Sequence, residues 1–446
     1  MKSNALSRPS SGASLFDEGK IRDVRYFLIS FTDLAGVSRS KLVPISAIDT
    51  IQRNGAGFAG FATNLNLSPA DPDLVAMPDP ASLTVLPWKP DVAWLASDLW
   101  MAGQPIEQGP RNTLKRVLGR AAADGLTVMT GVECEFFLIS PDGSQVSDPH
   151  DDARRPCYDS QALMRRYDVI TEICDAIEGM GWQPYQNDHE DANGQYEINW
   201  LYDEALVTAD RHTFFKFLVR SVAEKHGLRA TFMPKPFPHL TGTGCHAHIS
   251  LWKGAENICR GRDDDAYGLG LSREGYHFVG GLIEHAPALC LLFNPTVNSY
   301  KRINAPRTVS GATWAPNAVT YAGDNRTHMI RVPGGGRFEM RLPDGAANPY
   351  LLQAGLAAAG LEGVRSQRDP GAPLAINMYT DGHSVRALKK LPLNLVDAIR
   401  EFRNSTVLHR ELGKDLADSY LWQKEAEWAD YCAHLSDWER ATTLDC

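Results

Sequence analysis

Two acids stand two residues apart in an otherwise apolar run, Gly131-Val-Glu-Cys-Glu-Phe-Phe-Leu-Ile139. Val132, Cys134 and Phe136 alternate with Glu133, Glu135 and Phe137, the period of a strand, so both carboxylates are expected on one face, roughly 6.5–7 Å apart. At that separation each acid can hold its own divalent cation while a polyphosphate bridges the pair. Taken alone, the pattern also fits a strand with one solvated face. Three further segments repeat the spacing: Gln195/Glu197/Asn199, His246/His248/Ser250 and Glu339/Arg341. Four such strands, each backed by apolar alternates, predict a curved sheet with a polar, metal-binding concave side. Four or five carboxylates with a single imidazole suit Mg²⁺ or Mn²⁺ better than zinc. Arginines at 302, 326, 331, 337 and 341 supply forks for carboxylate and phosphate oxygens. The chain has no Gly-x-x-x-x-Gly-Lys-Ser/Thr loop, so phosphates would be held by metals and arginines.

The elements that must position these residues are legible from turn and periodicity signals. Residues 24–44 read as two strands around a turn at Asp33 to Gly36, followed by a short helix from Ser46 to Arg53 with Ser46 as N-cap. A Gly- and Ala-rich loop over 55–66 and strands at 82–86 and 92–96 complete a small α+β unit. A boundary is expected near Gly109, where Pro110 opens an amphipathic helix. The chain thus divides into a frayed Ser-rich tail (1–14), a first domain (15–109) and a second (110–446). In the second, helices are expected over 160–180, 211–225, 275–292, 348–363, 394–405 and 419–440, and strands over 131–139, 195–200, 229–233, 245–250 and 337–341.

Composition narrows the function classes. A net charge of -9 argues against nucleic-acid binding or a polybasic membrane surface. Residues 351–364 fall short of a span and residues 278–293 carry Glu284, His285 and Pro287, so no membrane crossing is expected. No apolar leader is seen in the opening residues, and the protein is expected in the cytoplasm. Eight cysteines without a Cys-x-x-Cys pair fit a reduced compartment and exclude a zinc ribbon, and Cys134 and Cys245 are expected to act as small apolar packing.

The motifs together resemble the glutamine synthetase superfamily over nearly the whole chain. They are Glu133-Cys-Glu-Phe-Phe, His189-Glu190 followed by Gly194-Gln195-Tyr196-Glu197, and Lys235-Pro-Phe leading to Gly242-Thr-Gly-Cys-His-Ala-His. Next come Asn294-Pro-Thr-Val-Asn-Ser-Tyr-Lys-Arg302, Asn325-Arg326, and Arg337-Phe-Glu-Met-Arg341 running into Asp344-Gly-Ala-Ala-Asn-Pro-Tyr350. The resemblance implies an N-terminal β-grasp domain, a catalytic domain of the glutamine synthetase and guanidino kinase type, and stacked rings of subunits, a dodecamer with sites shared between neighbours. It implies that Glu135, Glu190 and Glu197 hold a metal on the substrate side, and Glu133, His246 and Glu339 one on the ATP side. Arg302, Arg341 and Gly242 match the glutamate-binding positions, Arg326, Arg331 and Arg337 the phosphate-facing arginines, and His248 and Ser250 the nucleotide contacts. The implied reaction is a two-step ligation: the glutamate side chain attacks the γ-phosphate of ATP, and an amine displaces phosphate from the acyl phosphate.

Two departures bear on the amine. Ammonia-using members carry an acid before an Ala-Pro in a mobile flap, where this chain has Trp314 before Ala315-Pro316. They carry another in an N-terminal Phe-Asp-Gly-Ser-Ser loop, where this chain reads Phe58-Ala59-Gly60-Phe61-Ala62. The flap also looks longer, with Asn-Ala-Pro-Arg-Thr-Val-Ser between Ile303 and Gly311. Losing carboxylates and gaining Trp314 and Phe61 disfavours a small hydrated cation and favours an alkyl group. The 301–325 pattern looks most like γ-glutamylmethylamide synthetases and third-class bacterial glutamine synthetases. Methylamine is therefore the expected acceptor, with ammonia and putrescine as alternatives, and Ala59, Phe61 and Trp314 as the amine pocket. Tyr379 lies near a position adenylylated in some members, but Thr380-Asp-Gly-His departs from that pattern. A guanidino kinase and a non-catalytic assembly protein are competing readings. The first is disfavoured by the Asn-Pro-Thr-Val-Asn-Ser-Tyr motif, the second by retention of all six metal-ligand matches.

Overall fold

The computed structural model describes residues 8–261, 265–308 and 312–446. Of the tail expected to fray, residues 1–7 lie outside this set, but Pro9 is buried and the Ser14 hydroxyl caps the first helix, α1 (Leu15–Ile21), by accepting from Asp17 N–H. The hairpin β1 (Tyr26–Thr32) and β2 (Ser38–Pro44) turns at Asp33–Gly36, where Gly36 adopts φ +79° and donates to Asp33 O. A 3₁₀ turn over Ile45–Ala47 takes up Ser46, so α2 (Ile48–Asn54) starts after Ala47 with no side-chain cap. The loop expected after it contains β3 (Ala56–Phe58), and a strand missed in the sequence, β4 (Leu74–Pro78), pairs with it. With β5 (Thr84–Leu86), β6 (Lys89–Met101) and β7 (Gln104–Pro105) these form one seven-stranded sheet, ordered β2-β1-β6-β4-β3, with β5 and β7 on β6 and β1 parallel to β6. This is the β-grasp unit.

After α3 (Pro110–Ala123), the run expected as one strand is two: β8 (Thr127–Cys134) and β9 (Phe136–Ile139), with Glu135 between them. Then follow α4 (Ser160–Arg165), α5 (Tyr167–Gly179), β10 (Pro184–His189), β11 (Gln195–Trp200), β12 (Asp203–Glu204), α6 (Ala205–Lys225) and β13 (Arg229–Thr231). The chain continues through β14 (Cys245–Lys253), β15 (Glu256–Asn257), α7 (Arg273–Phe293), α8 (Ser299–Ile303), β16 (Tyr321–Ala322), β17 (Ile330–Gly334) and β18 (Arg337–Met340). It ends with α9 (Pro349–Arg365), α10 (Leu395–Asn404), α11 (Thr406–Leu412), α12 (Lys414–Ala433) and α13 (Asp437–Thr443).

The polar strands lie in two sheets, not one. The first is ordered β10-β11-β9-β13, and the second β12-β8-β14-β18-β17-β16 with β15 on β14. The division falls at Glu135 because all four residues of β9 are buried. Phe136 packs on Tyr196, Phe215 and Phe232, and Phe137 on Phe237, so the strand has apolar neighbours on both faces and cannot continue the half-polar ladder of β8. The helix expected over 160–180 breaks at Arg166, whose guanidinium is drawn to Ser147 (Nε to Oγ 3.0 Å).

Helices back the sheets. α7 is long and apolar enough by composition to cross a membrane, but most of it is buried inside the protein. It packs on α9 where Gly281 faces the Ala359 carbonyl and Gly363, an approach that admits no side chain. The β-grasp sheet is joined to α6 by Trp94 stacked edge-on against Phe214, and by Arg111, which is buried and reaches Asp79, Asp98 and Asp210.

Candidate active site

The break at Glu135 makes the site. Strand β8 delivers Glu133 to the larger sheet, the chain turns at Glu135, and β11 brings Glu197 while the loop after β10 brings Glu190. Oxygens of Glu135, Glu190 and Glu197 lie within 4.8 Å of one another. Glu135 is fixed from two sides: its Oε2 accepts from Gln195 Nε2 and from Gly244 N–H, both at 2.6 Å. Glu197 accepts from Asn199 Nδ2 at 2.8 Å. Burial raises Glu135 to about 7, although Gly244 N–H, Arg302 and Arg341 pull it down. Burial and the neighbouring carboxylates push Glu190 and Glu197 well above the usual range. These acids keep protons that a cation would displace.

A second cluster lies across the larger sheet. In register, His246 of β14 sits opposite Glu133 of β8, and His248 sits opposite Glu339 of β18, which places two carboxylates and two imidazoles at the corners of a quadrilateral. His248 Nε2 meets Glu133 Oε1 at 2.8 Å, while His246 Nδ1 stands 3.4 Å from Glu133 Oε2 and 3.6 Å from Glu339 Oε1. Ligand atoms of Glu133, His248 and Glu339 lie within 4.8 Å of one another, so both imidazoles border this cluster. Burial works to raise Glu133, but hydrogen bonds from both histidines hold it well below the usual range. Burial likewise opposes ionisation of Glu339, yet Arg341 and the histidines keep it at about 2. Burial and Arg341 lower His246 to about 4, leaving a neutral imidazole whose Nε2 is buried with no hydrogen-bond partner among the described residues. An orphaned imidazole nitrogen beside ionised carboxylates, next to a cluster of protonated ones, fits divalent cations with oxygen-rich donor sets.

The arginines divide by burial. Arg302, on α8, and Arg341, just past β18, are each 2% exposed and flank Glu135; Arg302 Nη1 donates to Leu342 O at 3.0 Å. Gly242 lies against the Arg302 side chain, where any Cβ would also press on Pro234 O. Arg331 pairs with Glu339 (2.8 Å) and Asp324, and Arg337 Nη1 meets His248 Nδ1 at 2.6 Å. Arg326 is exposed, on the side facing Tyr158. Beyond Glu133 opens a cavity of 680 Å³ bordered by Tyr185, His248, Ser250, Trp252 and Arg337.

The residues expected to line an amine pocket come from two separate parts of the chain. Ala59 and Phe61 are exposed in the short turn after edge strand β3, Phe61 by 53%. Trp314 is half-buried with φ +54°, and its Nε1 is buried without a partner among the described residues. Of the lengthened flap, Val309, Ser310 and Gly311 lie outside the described residues. Tyr379 is half-buried, its phenol hydrogen-bonded to Thr313 and the Trp314 backbone.

Three contributors went unnamed as site residues in the sequence. Gln195 positions Glu135. Asp188, opposite Glu197 in the β10–β11 ladder, is raised to about 6 by burial and by Glu133. Asp191, next to Glu190, accepts from Thr241 at 2.6 Å and from Thr308 at 3.3 Å. The two-residue spacing of Gln186 and Asp188 was the available signal for β10.

A trio of carboxylates beside a carboxylate–imidazole cluster, both flanked by buried arginines, suits an enzyme site for divalent cations with phosphoryl and carboxylate groups. Residues 107–443 match the family "Glutamine synthetase, catalytic domain". The chain is 62% identical over 424 residues to a glutamine synthetase of Rhizobium meliloti (strain 1021), covering 95% of this chain and 97% of that protein. It is 41% identical over 433 residues to a glutamate–methylamine ligase of Methyloversatilis universalis, covering 96% of this chain and 97% of that one. Among solved structures, a GmaS/ADP complex superposes with a TM-score of 0.94 at 59% identity, covering 97% of this chain and 100% of that chain. The chain belongs to the glutamine synthetase family, ATP-dependent ligases that use divalent metals.

Proposed function

We propose that the protein joins the γ-carboxyl of L-glutamate to methylamine at the expense of ATP, through γ-glutamyl phosphate. The observation that carries this reading is that the two positions where ammonia-using relatives carry acids hold Trp314 and the Ala59–Phe61 turn. Apolar surface there fits a methyl group and leaves a small ammonium ion without its carboxylates. The similarity to a glutamate–methylamine ligase and to a structure titled GmaS supports it.

In this reading, Glu135, Glu190 and Glu197 hold one Mg²⁺ or Mn²⁺, and Glu133, Glu339 and the histidines hold a second. The bound cations neutralise charge on the phosphates during transfer. Arg302 and Arg341 clamp the glutamate beside Gly242, and nucleotide occupies the cavity at His248 and Ser250. Arg326, Arg331 and Arg337 face its phosphates, with Arg326 acting directly in catalysis. The exposed Phe61 belongs to a site completed by a neighbouring subunit in stacked rings, a dodecamer, working in the cytoplasm. The 15–109 and 110–446 units are the two domains that meet at such an interface.

The 62% identical glutamine synthetase favours a second reading, with ammonia as acceptor. Phosphate release with glutamate, ATP and either ammonia, methylamine, ethylamine or putrescine separates the two. Methylamine is expected to give the highest kcat/KM. Ammonia preferred by more than about tenfold, roughly 1.4 kcal/mol in the barrier, would sink the methylamine assignment.

A further inference from the structure

Behind the carboxylate strands lies a second constellation that the ligation does not use. Cys134 of β8 and Cys245 of β14 are direct cross-strand partners. Glu135 N–H donates to Gly244 O, so 135 and 244 form a hydrogen-bonded pair, and Cys134 and Cys245 form the adjoining pair without mutual backbone hydrogen bonds, the one in which side chains stand closer. Strand alternation turns both sulfurs away from Glu133 and His246, toward helix α6. There His212 presents Nε2 at 3.9 Å from Cys245 Sγ. The two sulfurs and a ring nitrogen of His212 lie within 4.8 Å of one another, and all three residues are 0% exposed.

Two features set this apart from ordinary apolar packing of cysteine. The His212 ring is buried with Nδ1 unpartnered among the described residues, so its only polar compensation is what Nε2 faces, and a thiol is a weak hydrogen-bonding group. One turn along α6, Lys216 is buried and donates to Gly345 O (2.7 Å) and Ala347 O (3.2 Å), and it makes no ion pair among the described residues. A buried ammonium favours anions nearby, and Cys134 and Cys245 contribute the largest attraction to it, ahead of Asp344.

We propose that Cys134, Cys245 and His212 form a three-coordinate site for a soft monovalent d¹⁰ metal ion, Cu(I). Metal–sulfur and metal–nitrogen bonds of about 2.3 and 2.0–2.1 Å, at angles between tetrahedral and trigonal, place sulfur and nitrogen about 3.5–3.8 Å apart, close to the observed separation. Thiolates select a soft ion. Two thiolates, one neutral imidazole and a monovalent ion leave one negative charge beside Lys216, whereas a divalent ion would leave none. On loading, two thiol protons are released to solvent and no redox change occurs. Full burial means the ion enters as the chain folds.

The test uses full-length protein with Cys157, Cys174, Cys432 and Cys446 changed to Ser, expressed anaerobically in copper-supplemented cells. Metal content is measured after challenge with a chromophoric Cu(I) chelator. One copper per chain is expected to survive the challenge, with sulfur and nitrogen neighbours at the copper X-ray absorption edge. Cys245→Ser should abolish retention. His212→Gln leaves both thiols in place and decides the question if the cysteine variant fails to fold; it should release copper at least about tenfold more readily. No retained copper in the folded protein, retention unchanged in His212→Gln, or a Cys134–Cys245 disulfide in protein alkylated at lysis would each overturn the assignment.

Discussion

Gly244 is the narrowest point of the site. A methyl group there would meet Glu135 Oε1 and His246 Nε2 at 2.9 Å and Arg302 Nη2 at 3.2 Å, touching both clusters and a buried arginine at once. Gly244→Ala is expected to lower kcat/KM at least about a hundredfold, since misplacement by an ångström in a positioned site costs that much, while circular dichroism stays unchanged. Retained activity would show that the clusters tolerate displacement. The protonated glutamates give a second expectation at this scale. In the unfolded chain they titrate near 4.5, whereas Glu135 in the fold is raised to about 7 and its two neighbours are pushed well above the ordinary carboxylate range by burial and by one another. Their contribution to stability is therefore full below about 4.5 and is lost as pH rises through 7, because the folded state holds protons that the unfolded chain releases. A cation displaces those protons. Its apparent affinity should rise up to about tenfold per pH unit for each proton displaced, and the gain in Tm on adding Mg²⁺ or Mn²⁺ should grow between about pH 6.5 and 8. A gain independent of pH would count against the cluster as the binding site.

At the scale of elements, the site depends on a strand that stops. The period-two pattern of 131–134 was readable, and β8 follows it; the same pattern hid the break at Glu135, because residues 136–139 are apolar at all four positions and periodicity cannot say on which sheet such a run lies. The motifs at His246, Glu197 and Glu339 were readable one by one. Their registry, His246 against Glu133 and His248 against Glu339, follows from hydrogen bonding between strands separated by about a hundred residues, which no local signal carries. The helices behind the sheets supply a test of packing. Gly281→Ala would drive a methyl group into the Ala359 carbonyl on α9. The expected cost is about 1–3 kcal/mol, seen as a lower urea midpoint with the wild-type KM for glutamate in the surviving folded fraction.

For the whole molecule, the arrangement of the amine pocket sets the prediction. Phe61 is exposed in the turn after β3, far along the chain from the clusters, as expected if a second subunit supplies the other wall. Unfolding and reassembling a one-to-one mixture of Glu135→Ala and Phe61→Asp subunits, each inactive alone, should restore about a quarter of wild-type activity, since in a heterologous ring that fraction of interfaces joins one intact half from each variant. No recovery in a mixture shown by native mass spectrometry to contain both chains would place the pocket within one subunit. The sequence by itself determined the ligand types, the family and the strands that carry the acids, because residue chemistry and short periodicities are local properties. Only the tertiary structure decided that Glu135 turns between two sheets, that His248 shares the second cluster with His246, and that Cys134, Cys245 and His212 converge behind them. Those facts depend on which distant strands pair and which face a helix covers, and burial together with the charges that the fold gathers around each carboxylate sets which way it is shifted.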